Sequence, residues 1–272
     1  VPEGHTIHRL AQDYAAAFAG APARVTSPQG KFSDAAALLD GTVLHTADAH
    51  GKHLFLGFRD PGHTDWIHIH LGLFGKVTSG PAPAPAPTDT VRLRLANGTA
   101  YVDLRGPTTC ALITDTEKAA IHARLGPDPL RDDADPAAAY RRVSRSRTTI
   151  AALLMDQKVI AGVGNVYRAE VLFRHGIDPY RAGKDIRPAE WDAVWADLVA
   201  LMREGVRNNR IDTVRPEHTP EAMGRPPRVD DHGGEVYVYR RANQPCHICG
   251  GEIRTAGLAA RNLFWCPRCQ GA

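Results

Sequence analysis

Pro2 and Glu3, in the opening VPEGHTIHRL, set a ring nitrogen beside a carboxylate at the head of the chain. Val1 stands where an initiator residue would, and the small residue after it favours its removal, so the expected mature terminus is the secondary amine of Pro2. An α-amine titrates near ~8 against ~10.4 for lysine, so roughly a tenth of it is neutral near neutral pH, about a hundred-fold more than for a free lysine. Such an amine condenses with an aldehyde carbon to an iminium whose charge acidifies the neighbouring carbon, and an adjacent carboxylate such as Glu3 can deliver or carry a proton. Proline at a helical amino terminus is also an ordinary structural choice. The pair gains weight only from what accompanies it.

Two further stretches carry chemistry. Cys246, Cys249, Cys266 and Cys269 follow C-x2-C-x16-C-x2-C. Thiolates at that spacing close a tetrahedral site for one structural Zn2+ ion, with no position left open for catalysis. Metal binding would supply on the order of 10 kcal/mol to a module this small. Between the pairs, Arg261 falls at the tip of an expected hairpin, followed by Asn262, Phe264 and Trp265. It can present a guanidinium to a phosphate, or be an ordinary loop arginine. The stretch MDQKVIAGVGNVYRAEVLF (155–173) reads as helix, glycine turn, helix, with Asn165 expected as the cap of the second helix, where free N–H groups favour an anion. A plain helix–helix turn remains open. A dinucleotide fingerprint is excluded, because Tyr167 takes the place of the third glycine and no strand precedes the loop.

The elements that must position these residues can be read from periodicity. Ile7, Leu10, Ala11, Tyr14, Ala17 and Phe18 recur at helical spacing before Gly20, which predicts a helix over 5–19. Short alternating runs follow to about residue 113 (TVLHTA, HLFLGF, DWIHIHL, TVRLRLANGTAYVDL), with Asn97-Gly98 as a two-residue hairpin signal. They predict an antiparallel sandwich or barrel. PAPAPAP at 81–87 reads as a stiff hairpin connection. GPDPLRDDADP (126–136) marks a domain boundary. Helices are expected beyond it at about 136–144, 149–158, 165–175 and 188–208, then a mobile loop over 212–235 and a short strand, VYVYRR. Cys110 reads as a buried strand residue.

With 272 residues, 43% of them hydrophobic and 23% charged, the chain fits a soluble globular class of two or more domains. No apolar run approaches the ~20 residues of a membrane span, no signal peptide is visible, and paired CxxC units argue for a reducing compartment. Residues 1–135 carry 12 Lys+Arg against 15 Asp+Glu, and residues 136–272 carry 21 against 15. The basic excess is C-terminal and nearly all arginine, which suits phosphate but also fits a solvated surface. His5, His8, His68 and His70 suggest a second metal only weakly, since no carboxylate pattern completes a site.

With PEGHTIHR at the start, GKHLF around Lys52, HLGLFGK at 70–76, AGVGNVYRAE at 161–170 and ARNLFWCPRC closing the cysteine module, the chain resembles the formamidopyrimidine-DNA glycosylase and endonuclease VIII family over essentially its whole length. The resemblance implies an α+β fold: an N-terminal helix and antiparallel β-sandwich (1–125), a helix-two-turns-helix domain (126–235) and a zinc finger (236–272), with damaged DNA between the lobes. It implies Pro2 as nucleophile on the anomeric carbon, Glu3 as the group that protonates the opening sugar, and Lys52 near the lesion's phosphate and sugar. Asn165 and Arg261 match residues that grip phosphates, and Leu73 and Phe74 fall on the loop that fills the gap left by the flipped nucleotide. The oxidised-purine branch carries an Arg-Arg-Phe loop where this chain has DLRGPTTC, which keeps Arg105 but sets Pro107 in the place of the aromatic wedge. That departure, with PEGHTIHR, favours the endonuclease VIII branch and oxidised pyrimidines, although a long 212–235 loop is able to cap a purine. A monomeric, bifunctional glycosylase and abasic-site lyase with zinc as its sole cofactor and no membrane partner is expected. A non-enzymatic zinc-ribbon DNA regulator, or a tautomerase using an N-terminal proline as base, are the rival readings.

Overall fold

Ile7, Ala11, Tyr14 and Phe18 lie on one stripe of helix α1 (Gly4–Phe18), and all four are buried. The computed structural model describes residues 2–58, 65–229 and 234–271. Val1, the residue expected to be removed, and residues 230–233 of the expected loop lie outside the described residues. The chain divides into two compact units, Val1–Pro2 with Thr6–Arg124, and Glu3–His5 with Leu125–Ala272.

In the first unit α1 is followed by β1 (Arg24–Thr26), α2 (Ser33–Leu39) and seven more strands: β2 (Leu44–His50), β3 (His53–Phe58), β4 (Asp65–His70), β5 (Lys76–Pro81), β6 (Val91–Ala96), β7 (Ala100–Arg105) and β8 (Thr109–Ile113). They form two antiparallel four-stranded sheets, ordered β2-β3-β4-β8 and β1-β6-β7-β5. Alternation places Leu54, Leu56, Ile67 and Ile69 of one sheet in the same core as Leu93, Leu95, Val102 and Leu104 of the other, closed by the stripe of α1. Asn97 closes the β6–β7 hairpin: its Oδ1 accepts from the amides of Thr99 and Ala100, both at 2.9 Å. The proline-alanine run is not a hairpin connection, because β5 and β6 pair with opposite edges of β7 and the run must carry the chain past that strand. Arg94 ties it down through Pro85 O at 2.6 Å while holding Asp103 with two bonds of 2.6 and 2.8 Å.

Helix α3 (Asp115–Arg124) was not legible as a helix; it has no buried residue of its own. It is held on the sheet by polar contacts: Trp66 Nε1 donates to Asp115 at 2.7 Å, and Lys118 reaches Asp48 at 2.9 Å with its ammonium 3.5 Å from the Trp66 ring centroid.

The second unit is built on α4 (Pro136–Val143), α5 (Ile150–Leu153), α6 (Asn165–Arg174) and α7 (Pro188–Asn208), followed by α8 (Pro220–Met223), the hairpin β9 (Arg254–Leu258) and β10 (Arg261–Trp265), and α9 (Pro267–Gln270). The helix expected over 149–158 is confined to α5. Asp156 bends the chain by accepting from Lys158 N at 2.9 Å, and the Gln157 amide bonds Met155 O, Val163 O and Gly162 N in place of a continuing helix. The expected 212–235 loop contains a 3₁₀ turn at Pro216–His218 and the short α8. The cysteine module has no separate core: Leu263, Phe264, Trp265 and Cys266 share one with Val166, Leu172 and Trp191.

The expected strand VYVYRR does not form. Its amides go to a buried carboxylate: Tyr237 N donates to Glu170 Oε2 at 2.7 Å, and Val238 N and Tyr239 N to Oε1 at 2.8 Å each, while Thr213 Oγ1 donates to Oε2 at 2.6 Å. Glu170 on α6 thus does for this segment what a neighbouring strand would have done. Urea unfolding of a Glu170→Gln variant should show a loss of about 2–3 kcal/mol, because one oxygen becomes an N–H group facing amide donors. An unchanged midpoint would mean that these amides find other acceptors.

Candidate active site and anion-binding surface

Three backbone amides at the start of α6 converge on Glu3, which is 1% exposed. Val166 N donates to Oε1 at 2.8 Å, Gly164 N to Oε2 at 2.9 Å, and Tyr167 N approaches Oε2 at 3.5 Å. The helix cap is Gly164, one residue before the expected Asn165, which is instead the first helical residue. The unsatisfied donors and positive dipole end that suggested an external anion are therefore occupied by the chain's own Glu3. Close approach requires glycine: a Cβ on Gly164 would lie 2.3 Å from Glu3 Cδ, and one on Gly4, whose amide donates to Gly162 O at 2.8 Å, would lie 2.8 Å from Gly162 Cα. Pro2 is half-buried and precedes Glu3 directly. His5 stacks edge-on to Tyr167, with centroids 5.4 Å apart.

Side chains surround the same helix start. Asn165 Nδ2 donates to Asn262 O at 2.9 Å, and Arg168 Nη2 donates to Asn165 Oδ1 and, at 3.3 Å, to Asn262 O. The Asn165 side chain is thereby tied to β10, whose first residue is Arg261. Arg261 is exposed and follows a turn in which Ala259 and Ala260 both take positive φ (50° and 57°), a conformation that costs about 1–2 kcal/mol per alanine. Arg168 is fully buried, and burial lowers its pKa to about 10, so it stays charged at neutral pH. Sequence reasoning missed Arg168 and Glu170. Their signal was two charges inside the otherwise apolar run VYRAEVLF.

The four cysteine sulfurs all lie within 4.8 Å of one another, with Cys249 to Cys266 at 3.5 Å and Cys246 to Cys269 at 3.8 Å. Tetrahedral zinc with bonds of about 2.3 Å needs sulfurs about 3.8 Å apart, so the donor set fits that ion. Amides of Ile248 and Gly251 point at the sulfurs of Cys246 and Cys249, at 3.4 Å each, as thiolate ligands require.

In the first unit Lys52 sits in the tight β2–β3 turn after Gly51, whose φ is 59°. His70 is held below its ordinary pKa by burial and then by the nearby Lys52 charge. His53 and His68 bond ring to ring at 2.9 Å, and burial, reinforced by neighbouring histidines, lowers them to about 3 and about 4. The Lys52 charge thus bears on His70, while His53 and His68 are neutral at physiological pH. Leu73 and Phe74 are exposed, Phe74 by 84%, on the turn after β4. That turn lies against the loop after Arg105: a Cβ on Gly72 would meet Thr108 Oγ1, and one on Gly106 would lie 3.4 Å from Phe74 O. Arg105 itself is bonded to Asp103 at 2.9 Å and Thr78 at 2.8 Å. Cys110 is half-buried on β8, its thiol pushed up to about 12 by burial.

Known proteins match this arrangement throughout. Residues 1–110 match the formamidopyrimidine-DNA glycosylase N-terminal domain, 125–215 its H2TH domain, and 243–271 the zinc finger found in FPG and IleRS. Endonuclease 8 1 of Mycobacterium tuberculosis is 53% identical over 99% of this chain and 100% of its own length. The formamidopyrimidine-DNA glycosylase of Corynebacterium aurimucosum is 30% identical over 99% of this chain and 95% of its own. Among solved structures, Lactococcus lactis Fpg in complex with an abasic-site DNA aligns with a TM-score of 0.78 at 20% identity, covering 98% of this chain and 99% of that one. With both domains and the finger matched in order, and a relative this similar end to end, the chain belongs to the formamidopyrimidine-DNA glycosylase and endonuclease 8 family.

Proposed function

We propose that this protein is a base-excision-repair DNA glycosylase with abasic-site lyase activity, acting on oxidised pyrimidines in preference to oxidised purines. The observation that carries the reading is the anchoring of Glu3: amides of α6 fix its carboxylate, and so fix the chain one residue beyond the Pro2 nitrogen. In this mechanism the Pro2 amine attacks the anomeric carbon of the flipped nucleotide, the damaged base departs, and Glu3 supplies the proton as the sugar ring opens. The resulting iminium withdraws electrons from the neighbouring carbon, whose proton is lost as the 3′ phosphate leaves. A second elimination then releases the 5′ phosphate. Lys52 supplies a positive charge to the lesion's phosphate and sugar. Asn165 and Arg261 grip backbone phosphates, Arg105 contacts DNA from the end of β7, and Leu73 and Phe74 fill the vacated stack at a cost in unstacking of a few kcal/mol that their burial offsets.

The relatives' names support glycosylase activity on DNA, and both branches of the family are represented among them. The choice of oxidised pyrimidines rests on Pro107 in place of an aromatic wedge and on the greater identity to an endonuclease 8. Zinc, when bound by the four cysteines, supplies folding energy to the hairpin that presents Arg261.

The amine nucleophile demands a free Pro2 nitrogen, because an amide to residue 1 would remove its lone pair. Borohydride should trap protein that begins at Pro2 on abasic DNA, and peptide mapping should place the link on Pro2. An uncleavable N-terminal extension should abolish trapping while DNA binding persists. Trapping at full yield through such an extension would transfer the nucleophile to a lysine, Lys52 first. In a nicking panel, a duplex with an oxidised pyrimidine should be cut faster than one with 8-oxoguanine opposite cytosine; the reverse ranking would sink the substrate assignment. Metal analysis should find one zinc per chain in the wild type and loss of zinc and DNA affinity in Cys249→Ser. Tight DNA binding by metal-free Cys249→Ser would separate the finger from the interface.

A further inference from the structure

We infer that Arg168 is a positioning residue for phosphate binding: it sets the Asn165 amide with its N–H groups outward and locks it to the backbone of β10 beside Arg261. The inference rests on the proposed role of Asn165 and Arg261 in gripping DNA, and it concerns how that grip is built.

The orientation follows from donor and acceptor chemistry. A guanidinium only donates, so the atom of Asn165 that faces Arg168 must be Oδ1. Nδ2 then faces Asn262 O at 2.9 Å, which only accepts. A flipped amide would set N–H against N–H at Arg168 and oxygen against oxygen at Asn262, so two neighbours fix the same orientation. One N–H of Nδ2 is used on Asn262, and the other is left for an anion. Without Arg168 the amide would keep one determinant and gain a rotor.

A purely structural role does not account for the residue. Arg168 is fully buried, its acceptors are an amide oxygen and the carbonyls of Asn262 and Ala151, and its Nε has no partner. Burying a guanidinium without a hydrogen-bonded carboxylate is costly, and the nearby charge of Glu3 offsets only part of that cost. The cost is intelligible if the charge acts on something outside. Burial lowers the Arg168 pKa, the Glu3 charge raises it in part, and the nearby Arg261 charge lowers it further. An anion held by Arg261 and Asn165 relieves the repulsion, so the buried cation favours the bound state over the free one.

The test is a double-mutant cycle read as affinity for a duplex carrying a tetrahydrofuran abasic analogue, with zinc content and urea midpoint as fold controls. Asn165→Ala and Arg168→Met should each weaken binding about ten-fold, the loss expected of a hydrogen bond to a charged group. The double variant should be within about three-fold of either single one, since both remove the same contact. Arg168→Lys, which keeps the charge but not the planar fork, should recover part of the loss, and its remaining defect should vanish in the Asn165→Ala background. If Arg168→Met loses zinc or fails to fold, the cycle is run with Arg168→Lys alone. Multiplying losses in the double variant, or wild-type affinity in a folded Arg168→Met protein whose Asn165→Ala counterpart is weakened, would overturn the inference. Wild-type affinity in both Asn165→Ala and Arg261→Ala would instead overturn the phosphate reading itself, and this inference with it.

Discussion

The carboxylate of Glu3 bonded to the first amides of α6 is the constraint on which the proposed chemistry depends. A helix amino terminus is a ready anion site, and here the chain fills it with its own anion, from the residue immediately before α1. The arrangement orients a carboxylate placed beside Pro2, and it occupies the amides of Gly164 and Val166. The proposed recognition of an outside anion rests on side chains, Asn165 and Arg261, which must then be held firmly. Arg168 and the cysteine hairpin are the two devices the second unit offers for that purpose.

The same helix uses a second buried carboxylate in the same manner. Glu170 takes three successive amides of the segment that leads into the cysteine module, so one helix fixes both the amino-terminal anchor and the approach to the hairpin. The hairpin carries its own cost in the left-handed pair Ala259 and Ala260. A turn of that kind persists only where its surroundings over-determine it, and a metal site closing the other end of the same hairpin is a sufficient constraint.

Where local pattern and tertiary packing agree, the sequence was readable. The stripe of α1, the alternation of β3 and β4, the Asn97 hairpin and the cysteine spacing all became the expected elements, because each is decided by side chains within a few residues. The failures have a common cause. The VYVY segment alternates like a strand, but its donors are satisfied by Glu170, 67 residues away from the first of them, and no periodicity reports that. Helix α3 has no buried face and is held by an ion pair and by Lys118 over Trp66, so it lacks the apolar stripe by which helices are found. The Asn165 turn was placed one residue late because the cap is a carboxylate from the opposite end of the chain.

Missing α3 also obscured the character of the surface beside Lys52. DWIHIH reads as an alternating strand, and His122 and Lys118 of α3 cover one face of its sheet, with His122 3.2 Å from His50 and its ring 5.0 Å from Phe55. Desolvation there keeps His53 and His68 neutral well into the acid range. Solvated histidines would carry partial positive charge at mildly acidic pH, competing with Lys52 for any anion and repelling its ammonium. Rings kept neutral by burial do not compete with Lys52 in this way, so the helix that covers the face of His53 and His68 bears on the electrostatics beside the place where Lys52 is proposed to work.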